Sequence, residues 1–319
     1  QTMKSEGRTY WNYVFFVALG LGFLAKGPLI IVLTFPPLFL WCCLDFNRFR
    51  ELFSKFSIVI GLLITAIISV PWYYFAEQQS PGFLDYFIVG EHYKRFLEPG
   101  WKGDLYGSGH SQPKGMIWVL LIAFAFPWIQ IVLYKLWKTK ATIFKNEWTS
   151  FLILWAFWTP LFFTISSNIL HTYLLPVTIP IMFLIVYWWQ DLTNKKVIIR
   201  TALFFPVVVF IAYFGFFATG QLDYKMNSDK YLLENLKVKT ENKKIPLYYW
   251  KDKNYSGQFY SNGKAQIVKT EGQLDSVLSL DKQLFFVIPT KKKQEIPQKY
   301  WDKMTLAESN YKTSIFRTN

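Results

Sequence analysis

The chain has 319 residues, of which 52% are hydrophobic and 20% aromatic, and its formal net charge is +14. Such a basic balance is compatible with nucleic-acid binding, but the lysines and arginines do not form one stripe along the chain. They lie at the ends of apolar runs and through the C-terminal part, so we expect membrane lipids as partners and no nucleic acid.

Seven predominantly apolar segments are candidates for membrane-spanning helices, which need about 20 such residues. Gly27 permits a tight turn between the first two segments, and Pro28 suits the first turn of the second helix. Pro36 and Pro37 should kink or shorten that second span. The spans lie at residues 10–25, 28–44, 56–75, 116–134, 149–166, 172–189 and 200–219.

Lysines and arginines in the short connections predict the orientation of these spans. One set of connections is basic and alternates correctly with seven spans, so we place it in the cytoplasm. The loop at residues 76–115 and the chain after Gly220 then face outward. The basic set comprises Lys4, Arg8, Arg48, Arg50, Lys55, Lys135, Lys138, Lys140, Lys145, Lys195, Lys196 and Arg200.

The C-terminal part, residues 220–319, has the composition of a small soluble domain. Its segments DKYLLENLKVK and EGQLDSVLSL have helical spacing, whereas IPLYYW, AQIVKT and QLFFVIP are short β-type runs bounded by turn residues. Strands that alternate with helices predict a small α/β layer. The predicted fold class is therefore a mainly α, polytopic bundle of about seven spans at residues 1–219, followed by an α/β domain.

The segment FIVGEHYKRFLEPGWKGDLYGSGH, residues 87–110, concentrates ionisable groups between two apolar spans. Periodicity predicts a short amphipathic helix over residues 84–96, on which Glu91 and Arg95 are four residues apart and His92 shares a face with Arg95. These three side chains could hold a phosphate, alone or with a divalent cation. The alternative is an ordinary interfacial helix with a solvated ion pair.

Two further polar clusters lie on the same predicted side of the membrane. Lys26 ends the first span, where a lone lysine is either a snorkelling anchor or a phosphate contact. Tyr173 belongs either to an aromatic belt or to a site in which its hydroxyl donates to a phosphate. Three clusters on one side predict that something anionic binds where the outer leaflet meets water. The turn that carries Tyr173 also contains Ser166, Ser167, Asn168, His171 and Thr172.

The ordered segments LGLGFLAKGPL, FLDYFIVGEHYKRF, a Pro-Trp pair at the end of the next span, and HTYLLPVTIPI resemble one known group. This group contains the aminoarabinose transferases and protein O-mannosyltransferases, which are polytopic GT-C glycosyltransferases. The resemblance covers residues 15–190, and an outward α/β tail is a feature of the bacterial branch. It implies an inverting sugar transfer from a polyprenyl-phosphate donor to a lipid, glycan or protein acceptor. It also implies an outer-face reaction at the bacterial cytoplasmic (inner) membrane.

The resemblance also implies roles for particular residues. Lys26, Arg95 and Tyr173 occupy the positions of donor-phosphate contacts. His171 stands where many relatives have Lys or Arg, and a neutral imidazole there would weaken the phosphate contact. Glu91 and His92 occupy the place of the family's EH pair, which can help to bind a divalent metal cation.

One departure from the family pattern concerns the catalytic carboxylate, which the family carries in its first outward loop. No Asp-Glu pair precedes the first span, and only Glu6 does. We therefore expect the general base to lie outside these residues, and the chain alone to bind donor poorly and turn nothing over.

Two other classes of membrane protein remain as alternatives. A transporter or lipid-handling protein would also have about seven spans, but it would bury charges near the membrane midplane and often show internal repeats. A structural anchor that presents the C-terminal domain would leave the polar loop unexplained.

Overall fold

The computed structural model describes residues 9–103, 109–221, 225, 228–239, 245–280 and 282–318. The chain divides into two compact units, Gln1–Ala202 and Leu203–Asn319. Sequence analysis placed the domain boundary later, at Gly220, after the last predicted span. Residues 1–8 and 104–108, which include several predicted loop charges, lie outside the described residues.

Helices make up the first unit. A turn at Gly27 separates the first two helices, and its positive φ of 59° is a backbone conformation that glycine adopts readily. The α-helices are α1 (Tyr10–Lys26), α2 (Leu29–Cys43), α3 (Asn47–Lys55), α4 (Ile58–Gln79), α5 (Arg95–Leu97), α6 (Met116–Phe124), α7 (Trp128–Thr139), α8 (Glu147–Phe163), α9 (Leu175–Trp188) and α10 (Lys195–Ala218), which runs on into the second unit. A π-helix covers Asp85–Lys94, and 3₁₀ turns cover Lys140–Lys145, His171–Leu174 and Trp189–Asp191.

Every predicted span coincides with helical structure, but only some of these helices are long enough to cross a membrane. In the described part of the chain, Ile58–Gln79, His171–Asp191 and Lys195–Ala218 are long and apolar enough to cross a membrane. Helices α6 and α7 would make a fourth span only as one bent pair, because their axes differ by 105°. The total of seven spans stays a prediction.

One local expectation about these spans was wrong. Residues 116–134 do not form one continuous helix, because the chain breaks at Pro127, which lacks an N–H and restricts the residue before it. Pro36 and Pro37 lie inside α2, a single helix of 15 residues that continues past them. The predicted kink at these prolines stays a prediction.

Side-chain hydrogen bonds to backbone carbonyls connect the helices of the first unit. The indole of Trp158 donates to Val32 O at 2.7 Å, and the indole of Trp41 donates to Glu147 O at 3.0 Å, so that α2 and α8 are joined near both ends. Thr65 Oγ1 on α4 donates to Phe16 O on α1 at 3.0 Å. Such bonds satisfy polar groups that a hydrocarbon environment would leave without partners.

The second unit contains a five-stranded mixed sheet with the order β2-β1-β3-β5-β4. Strands β1, β2 and β3 are parallel, while β5 pairs antiparallel with both β3 and β4. Right-handed helical crossovers are the usual way to join parallel neighbours, and helices follow β1 and β2 here. The elements are α11 (Lys230–Lys239), β1 (Leu247–Trp250), α12 (Tyr255–Tyr260), β2 (Gln266–Val268), α13 (Glu271–Leu278), β3 (Phe285–Pro289), β4 (Met304–Ser309) and β5 (Thr313–Thr318), with 3₁₀ turns at Thr290–Glu295 and Gln298–Lys303.

Both faces of this sheet are covered, as the alternation of side chains along β3 shows. Phe286 and Ile288 pack on one face against Leu274 of α13. Phe285 and Val287 pack on the other face with the leucines of α11. The predicted α/β layer is therefore present, with an antiparallel pair, β4 and β5, that the sequence did not predict.

A buried carboxylate, Asp229, lies where α11 begins. It is 1% exposed, and its Oδ2 accepts hydrogen bonds from Tyr249 Oη at 2.9 Å and Asn254 Nδ2 at 3.2 Å. Burial raises the pKa of the Asp229 carboxyl, although these donors oppose the shift. Burial and the nearby carboxylate also raise the pKa of Tyr249.

A raised folded-state pKa has a definite consequence for stability. The carboxyl binds a proton more tightly in the folded state, so its contribution is fully present below the unfolded pKa of about 3.9 and is lost as pH rises through the folded value. We expect the opening free energy of β1, measured by hydrogen exchange and corrected for intrinsic rates, to fall as pH rises above about 4. Asp229→Asn should remove this pH dependence, whereas Asp275→Asn, at an exposed aspartate, should keep it. An identical slope in Asp229→Asn would contradict the assignment.

Candidate functional site

A cavity of about 360 Å³ in the first unit lies between the α1–α2 turn, the π-helix, the end of α8 and the turn before α9. It brings together five of the six site residues that the sequence proposed, which are Lys26, Glu91, His92, Arg95 and Tyr173. These five residues come from three segments that lie far apart in the chain. The remaining polar lining is Ser166, Asn168 and Thr172.

His171 is not among the residues that line this cavity. Its exposed ring stacks on Phe124, with centroids 5.2 Å apart and planes at 18°. His110, at the end of the polar loop, is also outside the lining, and its backbone carbonyl accepts from Ile169 N. The predicted phosphate contact of His171 is therefore not supported by its position.

The loop segment that carries the charges is a π-helix, not the α-helix that periodicity predicted. Glu77, at the end of α4, fixes the chain just before the π-helix. The Glu77 carboxylate accepts hydrogen bonds from the backbone N–H groups of Gly82 and Leu84, both at 2.8 Å. The wider π-helical turn changes which side chains share a face. In this arrangement, His92 reaches the α1–α2 turn, while Arg95 pairs with Glu91 and lines the cavity together with Phe162 and Tyr173.

Glu91 and Arg95 form the predicted ion pair. Arg95 Nη1 lies 2.6 Å from Glu91 Oε2, and each side chain is only 18% exposed. The other carboxylate oxygen, Oε1, accepts from Tyr86 Oη at 2.8 Å. This pair is not the solvated surface pair of the alternative interpretation, because Glu91 is fixed from two sides and in turn fixes the guanidinium.

His92 connects the π-helix to the α1–α2 turn. Its Nδ1 lies 2.6 Å from Phe87 O and its Nε2 lies 2.9 Å from Lys26 O. The approach is close: a Cβ on Gly27 would lie 2.7 Å from the Phe87 ring and 2.9 Å from the His92 ring. Gly27 is therefore required both by its backbone conformation and by this contact.

These contacts test whether Glu91 and His92 fit a divalent cation. Both nitrogens of His92 face carbonyl oxygens, and each oxygen of Glu91 accepts one hydrogen bond, so a cation would have to share or displace these partners. No group of three or more His, Cys, Asp or Glu side chains that could hold a metal occurs within the described ranges. The divalent cation that the resemblance implies stays a prediction.

Two aromatic rings at the end of α8 pack against Tyr173 and against Phe96, the neighbour of Arg95. Tyr173 stacks on Phe163 with centroids 4.7 Å apart. Phe96, the neighbour of Arg95, stacks on Phe162 at 4.8 Å. The two rings of α8 therefore set the positions of Arg95 and Tyr173 relative to each other.

Asn168 is a residue whose importance the sequence did not reveal. Its side chain is 2% exposed, and its Nδ2 donates to Arg95 O and Glu98 O, both at 2.6 Å. Its Oδ1 accepts from Gly100 N at 2.9 Å. Ser167 adds a hydrogen bond to Leu97 O. The turn before α9 thus holds the backbone of the segment that carries Arg95.

The charges of the lining favour an anion. Lys26 and Arg95 are cationic and Glu91 is anionic, so the lining carries one net positive charge. Lys26 is exposed at the end of α1, and its ammonium can move toward a ligand. Apolar side chains cover the rest of the cavity, among them Leu29, Val32 and Phe162. Such a site suits a phosphate that is attached to a hydrocarbon group.

Comparison with known proteins finds similar transferases, although no family model matches the chain. An undecaprenyl phosphate-α-4-amino-4-deoxy-L-arabinose arabinosyl transferase of Pseudomonas fluorescens is 31% identical over 175 residues, which are 53% of this chain and 29% of that protein. A transferase of the same description from Proteus mirabilis is 32% identical over 197 residues, 61% of this chain and 33% of that protein. The chain thus matches about a third of the length of these relatives.

The chain superposes on the crystal structure of ArnT from Cupriavidus metallidurans bound to undecaprenyl phosphate with a TM-score of 0.66. The superposition covers 99% of this chain and 71% of the ArnT chain. The chain has the ArnT fold. The sequence identity in this superposition is 15%, and the apo form of ArnT gives a TM-score of 0.63 at 16% identity. The resemblance to aminoarabinose transferases inferred from the ordered motifs is confirmed.

The hydrogen bonds of Asn168 give a direct test of what holds the charged loop. Asn168→Asp keeps the acceptor for Gly100 N but places an oxygen against the carbonyls of Arg95 and Glu98. We expect amide exchange over residues 95–101 to accelerate on the order of tenfold to a hundredfold, because two buried hydrogen bonds are lost. Asn146→Asp is the matched control at the other end of α8, since an aspartate there can still accept from Thr149 N. Unchanged exchange in Asn168→Asp would show that the loop is held by other contacts.

Proposed function

We propose that this chain is part of a bacterial membrane glycosyltransferase that takes its sugar from a polyprenyl-phosphate donor. The observation that carries the proposal is the convergence of Lys26, Arg95 and Tyr173 on one cavity with an apolar side. The ArnT fold supports it, since one matched ArnT structure contains undecaprenyl phosphate. The named relatives transfer 4-amino-4-deoxy-L-arabinose, and for this chain we propose the same donor class without naming the sugar.

The chemistry of such a transfer explains the residue types in the cavity. When the bond between the sugar and the lipid phosphate breaks, negative charge develops on the phosphate. The Arg95 guanidinium and the Lys26 ammonium stabilise that charge, and the Tyr173 hydroxyl donates a hydrogen bond to it. Glu91 holds Arg95 in position before the donor binds, so little reorganisation accompanies the reaction.

The location of the reaction is part of the same proposal. We place the cavity at the outer face of the bacterial cytoplasmic (inner) membrane, with about seven spans and an extracytoplasmic C-terminal domain. The acceptor is a lipid, a glycan or a protein. The steps proposed here use the side chains of this chain alone, and no divalent cation enters them.

Replacement of Arg95 tests the proposal in the intact protein. We expect Arg95→Ala to lower kcat/KM for sugar transfer on the order of a hundredfold to a thousandfold, because a cation that stabilises the leaving phosphate is lost. Arg95→Lys should retain part of the activity, since it restores charge without the planar fork. The measurement is transfer of a radiolabelled sugar from polyprenyl phosphate in membranes that contain equal amounts of each variant.

The matched control for this experiment is Arg50→Ala. Arg50 is an exposed arginine on α3 that does not line the cavity, so its loss should leave transfer unchanged. Near-normal activity in Arg95→Ala would remove Arg95 from the site and with it the main support for the proposal.

Tyr173→Phe separates the hydroxyl of Tyr173 from its ring. Because phenylalanine keeps the stacking on Phe163, the variant should insert and fold normally while losing one hydrogen bond to the donor phosphate. We expect transfer to fall about fivefold to tenfold, with most of the change in kcat if the bond strengthens as charge develops. An effect on protein yield but not on specific activity would assign Tyr173 to packing instead.

A further inference from the structure

A second cavity, of about 330 Å³, lies away from the candidate phosphate site, between α7, the turn after α9 and the beginning of α10. Its lining combines charges of both signs, from Lys135, Lys138 and Asp191, with apolar side chains. The apolar part comprises Pro127, Ile131, Leu192, Val197 and Ile198. No residue of α10 is buried, so this helix leaves the cavity open along its side.

Two polar groups of this second cavity are only partly satisfied. The Lys135 side chain is 14% exposed, and its Nζ lies 3.6 Å from Asp191 Oδ2, which is too far for a hydrogen bond. Within the part of the chain that the structure describes, this ammonium donates no hydrogen bond. Gln130 also lines the cavity, and its Oε1 is buried without a hydrogen-bond partner among the same residues. A partly buried ammonium and a buried amide oxygen together require a ligand with both acceptors and donors.

Two exposed aromatic residues indicate the depth of this cavity in the membrane. Tyr134 is 53% exposed and Trp137 is 74% exposed, and both lie on α7 beside Lys135 and Lys138. Tyr and Trp side chains concentrate at the level of the lipid headgroups, and basic pockets between membrane helices bind headgroups there. The cavity therefore opens where phospholipid headgroups are present at high concentration.

We propose that this cavity binds a phospholipid with an ethanolamine headgroup. The lipid phosphate accepts hydrogen bonds from Lys135 and Lys138. The primary ammonium donates to Asp191 and to Gln130 Oε1, and the beginning of an acyl chain lies along Ile131, Val197 and Ile198. This assignment does not depend on the proposed sugar transfer.

The charges of the lining select among the common headgroups. Phosphatidylcholine has the same phosphate, but its quaternary ammonium has no N–H to donate. Phosphatidylglycerol can donate hydroxyl groups, but its net negative charge leaves the Asp191 carboxylate uncompensated. Phosphatidylethanolamine alone of these three matches the two lysines and the carboxylate together.

The test is retention of lipid by the intact protein. The protein is reconstituted in nanodiscs with equal amounts of phosphatidylethanolamine, phosphatidylglycerol and phosphatidylcholine, released into detergent, and the bound lipids are counted by native mass spectrometry. We expect phosphatidylethanolamine to be retained about fivefold over phosphatidylcholine, which is the effect of about one interfacial charge pair. Lys135→Gln should abolish this preference. Asp191→Asn should shift the preference to phosphatidylglycerol, because the lining then becomes more positive.

Lys196→Gln is the matched control, since Lys196 is exposed near the beginning of α10 and does not line the cavity. It should retain lipids as the unmodified protein does, and circular dichroism should show equal helicity in every variant. Equal retention of the three lipids, or an unchanged pattern in Lys135→Gln, would overturn the proposal. Displacement of the lipid by inorganic phosphate would identify a phosphate site only, and a co-purified protein on this surface in place of lipid would also refute it.

Discussion

The position of the π-helix between two turns is the constraint on which the candidate phosphate site depends. On one side, His92 reaches the carbonyl of Lys26 across a turn that only glycine can make so tightly. On the other side, Asn168 holds the backbone at Arg95, Glu98 and Gly100. Because the same segment is fixed at both sides, the backbones at Lys26 and Arg95 keep a defined separation, and a ligand does not have to order the loop when it binds.

The ion pair within this segment limits the positive charge that the cavity carries. A guanidinium and an ammonium with no carboxylate would repel each other and would be costly to hold together in a partly buried site. Glu91 offsets one of these charges and also fixes the orientation of Arg95. The remaining single positive charge favours an anionic ligand. Glu91 and His92 thus position the cationic residues of the cavity, because Glu91 pairs with Arg95 and His92 reaches Lys26 O.

The sequence predicted the parts of this site that depend on residue type and near spacing. The pair Glu91 and Arg95 is present because residues four apart remain neighbours in either helix type, whereas the face of His92 changed because a π-helix turns more widely. The role of Asn168 could not be predicted, since its partners are backbone atoms about 70 residues away in the chain. Strand β5 was not predicted either. Its polar residues Thr313, Ser314 and Thr318 occupy buried positions, so the strand lacks the alternation of apolar and polar residues that identifies a half-buried strand.

The break between α6 and α7 positions the polar residues of the second cavity. A straight helix over residues 116–134 would carry Gln130 and Lys135 along one axis with the apolar residues before them. The bend of 105° instead sets α7 apart, with Tyr134 and Trp137 exposed and Lys135 turned toward Asp191. The end of α7 therefore carries exposed aromatic residues next to basic ones, a combination typical of headgroup depth. A hydropathy count treats residues 116–134 as one uniform span, whereas the structure breaks this stretch and gives its polar residues a cavity of their own.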